Sequence, residues 1–372
     1  MNISIVCGYY YPQNTPRAFR AAELAEELAR EGHTVKVFTL SGQNDYSEYF
    51  KEKGVSVISL GESKLGLGDT MGNRKVGFFI RFFVKLFSKP FFLPYMEIAF
   101  MIRKRIDKIC ENTDLLISIA HPYSTHWGIA LAKHKIKNFP KWISDCGDPF
   151  MGDPFEKYPF YFKYLEKKWG KETDFISIPT IAATSAYYPE VRNKIVVIPQ
   201  GFRFEPINGL YEENDVPSFA YAGIFYQGQR DPSQFLEYLS TINEPFKFYL
   251  YTGESVKQWL APYINKLGDK LVICKPVPRA QLLPILSKMD FLVNITNLGT
   301  VQQPSKLIDY SIANRPILNI STNTSSVECK VFNEFINRDY HNRLILPDLS
   351  QYDITNVAKE FLKLCENSTS KK

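Results

Sequence analysis

The sequence has few of the features that mark common nucleotide-binding, metal-binding and disulfide-stapled proteins. No apolar run reaches the ~18 residues that a spanning helix needs, so no segment is expected to cross a bilayer. Six cysteines (Cys7, Cys110, Cys146, Cys274, Cys329, Cys365) are scattered without a CxxC pair, most of them in apolar runs where the thiol acts as a small hydrophobe. The opening Met-Asn-Ile-Ser-Ile-Val-Cys lacks the basic region, apolar core and cleavage site of a signal peptide. These features predict a reducing, cytoplasmic setting. No HExxH, DxD or Cys/His cluster occurs, so no metal site is expected. Gly147–Gly152 has Walker A spacing, but Asp153 stands where Lys is required. The first βα turn has no GxGxxG, which disfavours an NAD-type dehydrogenase, and Gly66-Leu-Gly68 continues wrongly for a phosphate loop.

A length of 372 residues predicts two domains. With 45% hydrophobic and 23% charged residues, the composition excludes disorder for most of the chain. Residues 3–7 read as a buried strand, 17–30 as a helix and 34–40 as a second strand. Apolar strands recur at 55–60, 114–119, 140–144, 174–178 and 195–198, which predicts a parallel, doubly wound α/β sheet. Around 199–217 the pattern breaks into Pro199, Gly201, Pro206, Gly209 and Pro217, as a linker would. A second series follows, with strands at 218–222, 246–251, 271–274, 290–295 and 316–320 separated by helices at 233–241, 255–267, 279–288 and 305–313. Residues 352–366 read as a terminal helix. The expected domains are therefore 1–199 and 200–350, with a helix and polar tail at 351–372 packing back on the first domain. Two such domains facing each other leave a cleft, the usual place for a ligand.

Pro304-Ser-Lys-Leu-Ile-Asp-Tyr reads as a loop entering a helix at Pro304-Ser305, where free N–H groups favour an anion. Lys306 adds a cation at the helix end where a cation is unfavourable unless a negative group binds. Asp309, three residues on, can accept hydrogen bonds from ribose or sugar hydroxyls; the plainer alternative is a Ser-capped helix with a Lys306–Asp309 surface pair. Arg230, just before a helix start at Asp231-Pro232, can hold a phosphate through paired charge-assisted bonds or sit in a surface salt bridge. His121 follows the strand ending at Ala120, at the carboxyl end where open α/β sheets bind ligands. Trp142-Ile-Ser-Asp145-Cys-Gly-Asp148-Pro also ends a strand, and its two carboxylates can orient a hydroxyl, act as a base or simply initiate a turn. Arg17 and Arg20 open the first helix and can attract phosphates. His126 and His134, in the helix after His121, read as packing or surface residues.

In this order, the segments resemble the retaining GT-B glycosyltransferases of the family 4 group, bacterial surface-polysaccharide enzymes. The resemblance rests on Tyr-Tyr-Pro…Arg20-Ala-Ala-Glu-Leu-Ala…Gly32-His-Thr-Val, Pro199-Gln-Gly201-Phe, Tyr221-Ala-Gly223 and Pro304-Ser-Lys-Leu-Ile-Asp-Tyr. It implies a GT-B fold: two Rossmann-like domains facing each other across a cleft, the first for the acceptor and the second for a nucleotide-sugar donor. It implies diphosphate contacts from Arg230, Ser305 and Lys306, nucleoside contacts from Asp309 and Val277, and a donor-sugar loop with Gly299, Thr300, Gln302 and Gln303. His121 and Asp148 take the catalytic positions, with Arg17, Arg20 and Asp145 as acceptor or phosphate contacts. The family's Glu-x7-Glu pattern is broken here, with Val301 at the first position and Asp309 at the second. The implied activity is metal-independent transfer from a nucleotide-sugar, a UDP-sugar as the expected co-substrate, to a glycan or polyprenyl-diphosphate-linked acceptor in capsule, O-antigen or exopolysaccharide synthesis. A nucleotide-sugar epimerase of the same fold, or a catalytically silent glycan- or lipid-binding relative, is the alternative.

Residues 74–108 hold nine basic residues against Glu97 and Asp107, so this stretch carries the whole of the +6 net charge. Eight of the 28 Phe fall here too. On a helical wheel Arg74, Arg81 and Lys85 share one face, and Phe79, Phe82, Phe83 and Leu86 the opposite one. The functional reading is a peripheral contact of Phe79, Arg81, Phe82 and Lys85 with an anionic inner-leaflet membrane surface. The alternative is a domain helix with its Phe face in the core. One observable separates the two, because only the membrane helix exposes its Phe face. With the charge confined to this stretch, nucleic acid is not an expected partner.

Overall fold

The computed structural model describes residues 1–13, 15–40, 44–67, 77–153, 156–204, 211–253, 256–296 and 306–366. They divide into one unit of Met1–Arg203 with Ser350–Lys372 and a second of Phe204–Leu349. In the first unit the strands are β1 (Asn2–Cys7), β2 (Thr34–Thr39), β3 (Val55–Ser59), β4 (Leu115–Ile119), β5 (Lys141–Asp145), β6 (Phe175–Ile178) and β7 (Ile195–Val197). Its helices are α1 (Pro16–Arg30), α2 (Ser47–Lys53), α3 (Phe78–Phe91), α4 (Met96–Cys110), α5 (Ser124–Ala132) and α6 (Phe162–Glu172). The second unit alternates β8 (Ser218–Ala222), α7 (Ser233–Leu239), β9 (Lys247–Tyr251), α8 (Lys257–Leu267), β10 (Leu271–Cys274), α9 (Arg279–Leu286), β11 (Phe291–Thr296), α10 (Lys306–Ala313), β12 (Ile317–Ser321) and α11 (Ser326–Ile336). The chain then returns to the first unit as α12 (Ile354–Glu366).

Both sheets are parallel throughout, ordered β3-β2-β1-β4-β5-β6-β7 and β10-β9-β8-β11-β12. In each, strand order reverses beside the unit's first strand, and the loops leaving the carboxyl ends diverge there. Strands buried on both faces explain the near-continuous apolar runs. One face of the first sheet packs Ile3 and Ile5 against Leu24 and Leu28 of α1 and Val357 and Phe361 of α12. The other face packs Val6 and Leu116 against Ile102 of α4 and Trp127 of α5. In the second unit Phe219 stacks between Phe248 and Phe291, with centroids 4.7 and 4.5 Å away, under Phe332 of α11.

The basic, Phe-rich stretch is two helices with different fates, which corrects its reading as one segment. α4 is an ordinary core helix: Ile98, Ile102, Ile106 and Ile109 are buried while Arg103, Lys104 and Lys108 face solvent. α3 has no buried residue at all. Between them Phe92 caps α3 in the left-handed region (φ 53°) and is itself buried. Arg74 and Lys75 lie outside the described residues.

Candidate functional site

In the first unit, the loops after β4 and β5 line a pocket of about 570 Å³ with Arg17, His121, Tyr123, Asp148, Glu156 and Tyr158 among its walls. Thr15 caps α1 by accepting from the Ala18 N–H, and this sets the helix start so that Arg17 reaches the loop after β5. Arg17 there donates to the carboxylate of Asp148. Gly147 makes that approach possible, since a Cβ at this position would fall 1.6 Å from the Arg17 guanidinium. The Tyr123 hydroxyl donates to the Asp148 carbonyl, and buried Glu166 accepts from the Met151 N–H at 3.2 Å, so the loop is held from two further sides. Burial pushes the Glu166 carboxyl up to about 7. His121 stands against the rings of Tyr95 and Phe92, and both peptide bonds flanking it are cis. Burial, with Arg17 adding to it, lowers the pKa of His121, leaving a neutral imidazole that can give or take a hydrogen bond at neutral pH.

Two residues expected at this surface are elsewhere. Arg20 and Asp145 form a buried bidentate pair, 4% and 0% exposed, and Ser177 Oγ adds a bond to Asp145 at 2.5 Å. Burial alone raises an acid, but Arg20 outweighs it and holds the Asp145 carboxyl below the usual range. Their charges are spent on each other, so Arg20 and Asp145 are structural rather than acceptor or phosphate contacts. His126 is also internal, bonded to Ser118 Oγ at 2.8 Å and stacked on Trp169, and burial takes its pKa down to about 3. His134 is exposed.

In the second unit, the ends of β8, β9 and β10 and the facing sides of α9 and α10 enclose a pocket of about 580 Å³. Val277, Lys306 and Asp309 all line it. Lys306 is 9% exposed; its ammonium lies 3.4 Å from the Ile295 carbonyl and 4.3 Å over the Tyr221 ring. Burial, reinforced by Arg230, drives its pKa down to about 6. Arg230 reaches the same corner, lying 3.4 Å from the Ile224 carbonyl, to which the Tyr221 hydroxyl also donates. Gly223 bends the chain here at φ 152°, in a backbone region that side chains avoid. Asp309 pairs with Arg279 at 2.6 Å rather than with Lys306, and burial raises its carboxyl against the pull of Arg279. Tyr310 accepts the Ala222 N–H at 2.9 Å and so ties α10 to the end of β8.

Ser305, Gly299, Thr300, Gln302 and Gln303 lie outside the described residues. The sequence did not point to Tyr123, Glu156 and Tyr158 in the first pocket, or to Arg279 as the partner of Asp309 on the wall of the second. Arg279 stands 30 residues from Asp309, a separation that carries no local signal. Tyr123, two residues after His121, was within reach of the strand-end rule.

No family model matches the chain, and no curated protein matches it in sequence. Solved structures do match it over its full length. A glycosyltransferase from Rickettsia africae ESF-5 is 12% identical, with 100% of this chain and 99% of that one covered and a TM-score of 0.61. Anabaena Alr3699/HepE in complex with UDP is 9% identical, with 100% and 99% covered and a TM-score of 0.56. The lipopolysaccharide outer core galactosyltransferase WaaB is 11% identical, with 100% and 98% covered and a TM-score of 0.53. At these identities the likeness establishes architecture, and the chain has the GT-B fold of glycosyltransferases.

Proposed function

We propose that this chain is a glycosyltransferase that moves a sugar from a nucleoside diphosphate to a glycan or a polyprenyl-diphosphate-linked glycan in bacterial surface-polysaccharide synthesis. The observation that carries the reading is the second unit's pocket, lined by a buried Lys306 that feels the charge of Arg230 and by an Asp309 held by Arg279. A neutral lysine at an anion-sized corner gains a proton when a diphosphate arrives, and Val277 gives an apolar wall for a base. The complex of Anabaena HepE with UDP supports a uridine nucleotide as the expected donor base.

In this reading the bond between the anomeric carbon and the diphosphate breaks, and its electron pair goes to the leaving phosphate. Arg230 and Lys306 stabilise the negative charge as it develops there, and fixed cations in a water-poor corner do this far more effectively than solvent. They supply positive charge that a metal would otherwise provide, in keeping with a metal-independent reaction. The acceptor oxygen bonds to the anomeric carbon and its proton passes to the leaving phosphate, an order that retains configuration. His121 and Asp148 position the acceptor in the first unit's pocket, on the cytoplasmic face of the cell membrane.

Thermal stabilisation by UDP, GDP and dTDP tests the donor site, because preferential binding raises the melting temperature by mass action. UDP is expected to give the largest shift. Arg230→Ala weakens it by roughly ten- to a hundredfold in affinity, the worth of one or two charge-assisted bonds. No shift by any of the three, or an undiminished shift in the variant, overturns the assignment. A new sugar isomer formed from donor alone identifies an epimerase instead.

A further inference from the structure

Helix α3 has more apolar surface than it uses. Only Val84, Phe87 and Ser88 are half-buried, which marks the side turned to the body. At 100° per residue, Phe79, Phe82 and Leu86 fall on the side turned away and are 85%, 60% and 59% exposed, while Phe83, 50% exposed, lies on the flank against Phe87. Arg81, Lys85 and Lys89, spaced one turn apart and all exposed, run along the edge of that outer face. No acid occurs in the sequence between Asp69 and Glu97. A second patch adjoins the helix end. The Tyr161 hydroxyl donates to the Pro90 carbonyl, and beside it Phe160 and Tyr164 are 70% and 62% exposed, with the Lys163 ammonium over both rings.

A contiguous apolar face of this kind marks an interaction site. A second copy of the chain seated on it brings like charges together, since a two-fold contact sets the basic row of Arg81, Lys85 and Lys89 beside the same patch of the other copy. An anionic bilayer meets both features at once: headgroups take the cations, acyl chains take the Phe face, and Tyr rings favour the boundary. Among the described residues no helix is long and apolar enough to cross a membrane. We propose that α3, with the 160–164 turn as a second contact, is an interfacial helix that lays the first unit on an anionic lipid surface. Phe92, the residue that ends α3, packs 6.1 Å from the His121 ring and 5.9 Å from the Tyr158 ring on the pocket wall. The docked face is therefore joined directly to the pocket that the proposed function gives to the acceptor; that link rests on the functional reading, whereas the lipid contact does not.

The test is co-sedimentation of the full chain, without donor, with vesicles of phosphatidylcholine alone or mixed with phosphatidylglycerol. Binding is expected only to the mixed vesicles, and it weakens as salt rises. Arg81→Gln/Lys85→Gln/Lys89→Gln lowers the partition coefficient by about a hundredfold, from the usual worth of three cations at an anionic leaflet. Phe79→Ser/Phe82→Ser/Leu86→Ser brings binding down to the level of phosphatidylcholine alone. Near-ultraviolet circular dichroism confirms that both variants keep the native fold, as changes on an exposed face should. Three results overturn the proposal: wild-type protein that ignores the mixed vesicles at low salt, either variant binding like wild type, or a wild-type dimer that the Phe variant abolishes. Donor-binding assays are untouched by any of these, so the two readings fail separately.

Discussion

Arg17–Asp148 and Arg20–Asp145 join the same two segments, the start of α1 and the end of β5, one helical turn apart. Asp145 is the last residue of β5, under the rim of the sheet, and is fully buried with Arg20. Asp148 lies three residues further along the loop and is 75% exposed, within the wall of the pocket. The same two residue types thus do different work at two depths. Below the rim the charges must satisfy each other, because an unpaired buried charge is costly. At the rim solvent screens the pair, and the Asp148 carboxylate stays open to solvent.

Breaking the deep pair has the largest expected effect. Asp145→Asn leaves Arg20 buried without its counter-charge and destabilises the protein by about 3–5 kcal/mol in chemical denaturation. Replacing both residues by apolar ones of similar volume recovers most of that loss, which separates an uncompensated charge from simple misfit. Asp148→Asn changes stability by less than about 1 kcal/mol, yet lowers turnover with acceptor by roughly a hundredfold or more if the carboxylate positions or activates the hydroxyl. Steady-state rates beside melting curves check this, and a parallel loss of stability would erase the distinction between rim and floor.

Lys306 is a third case, a buried amine whose described contacts are a carbonyl and a ring face. Its folded pKa of about 6 lies below the ordinary 10.5, so between those values the unfolded chain binds a proton that the folded chain does not. Stability from this group therefore rises with pH across that window and falls as pH drops toward 6. Lys306→Met removes this slope and raises the melting temperature of the free protein near pH 7, while weakening UDP binding. In wild type, UDP binding takes up a proton at neutral pH, measurable by calorimetry in buffers of different ionisation enthalpy.

Much of the fold was legible because parallel strands buried on both faces leave unbroken apolar runs. The expected 218–222 and 271–274 match β8 and β10, and most other strands shift by a residue. α11 was not anticipated, although Ser325 and Glu328 form a capping box that marks its start. Strand ends placed His121 and Asp148 at pocket walls, and the helix start after Pro304-Ser305 placed Lys306 and Asp309 there, but depth was not legible. Periodicity reports the face a residue occupies and says nothing about how far below the rim it sits. For that reason Arg20 and Asp145 read as surface groups, and residues 74–108 read as one basic, Phe-rich stretch. The break between α3 and α4 depends on Phe92 turning into the core, a tertiary event without a local signal.

In the proposed function the second unit's pocket holds the nucleotide and the first unit's pocket serves the acceptor. Calorimetric titration of UDP into wild type, Asp148→Asn and Arg230→Ala tests it directly. The account predicts equal affinity for wild type and Asp148→Asn, with Arg230→Ala weaker by about ten- to a hundredfold. A wild-type protein that binds no UDP, or an Asp148→Asn variant weakened as much as Arg230→Ala, contradicts it.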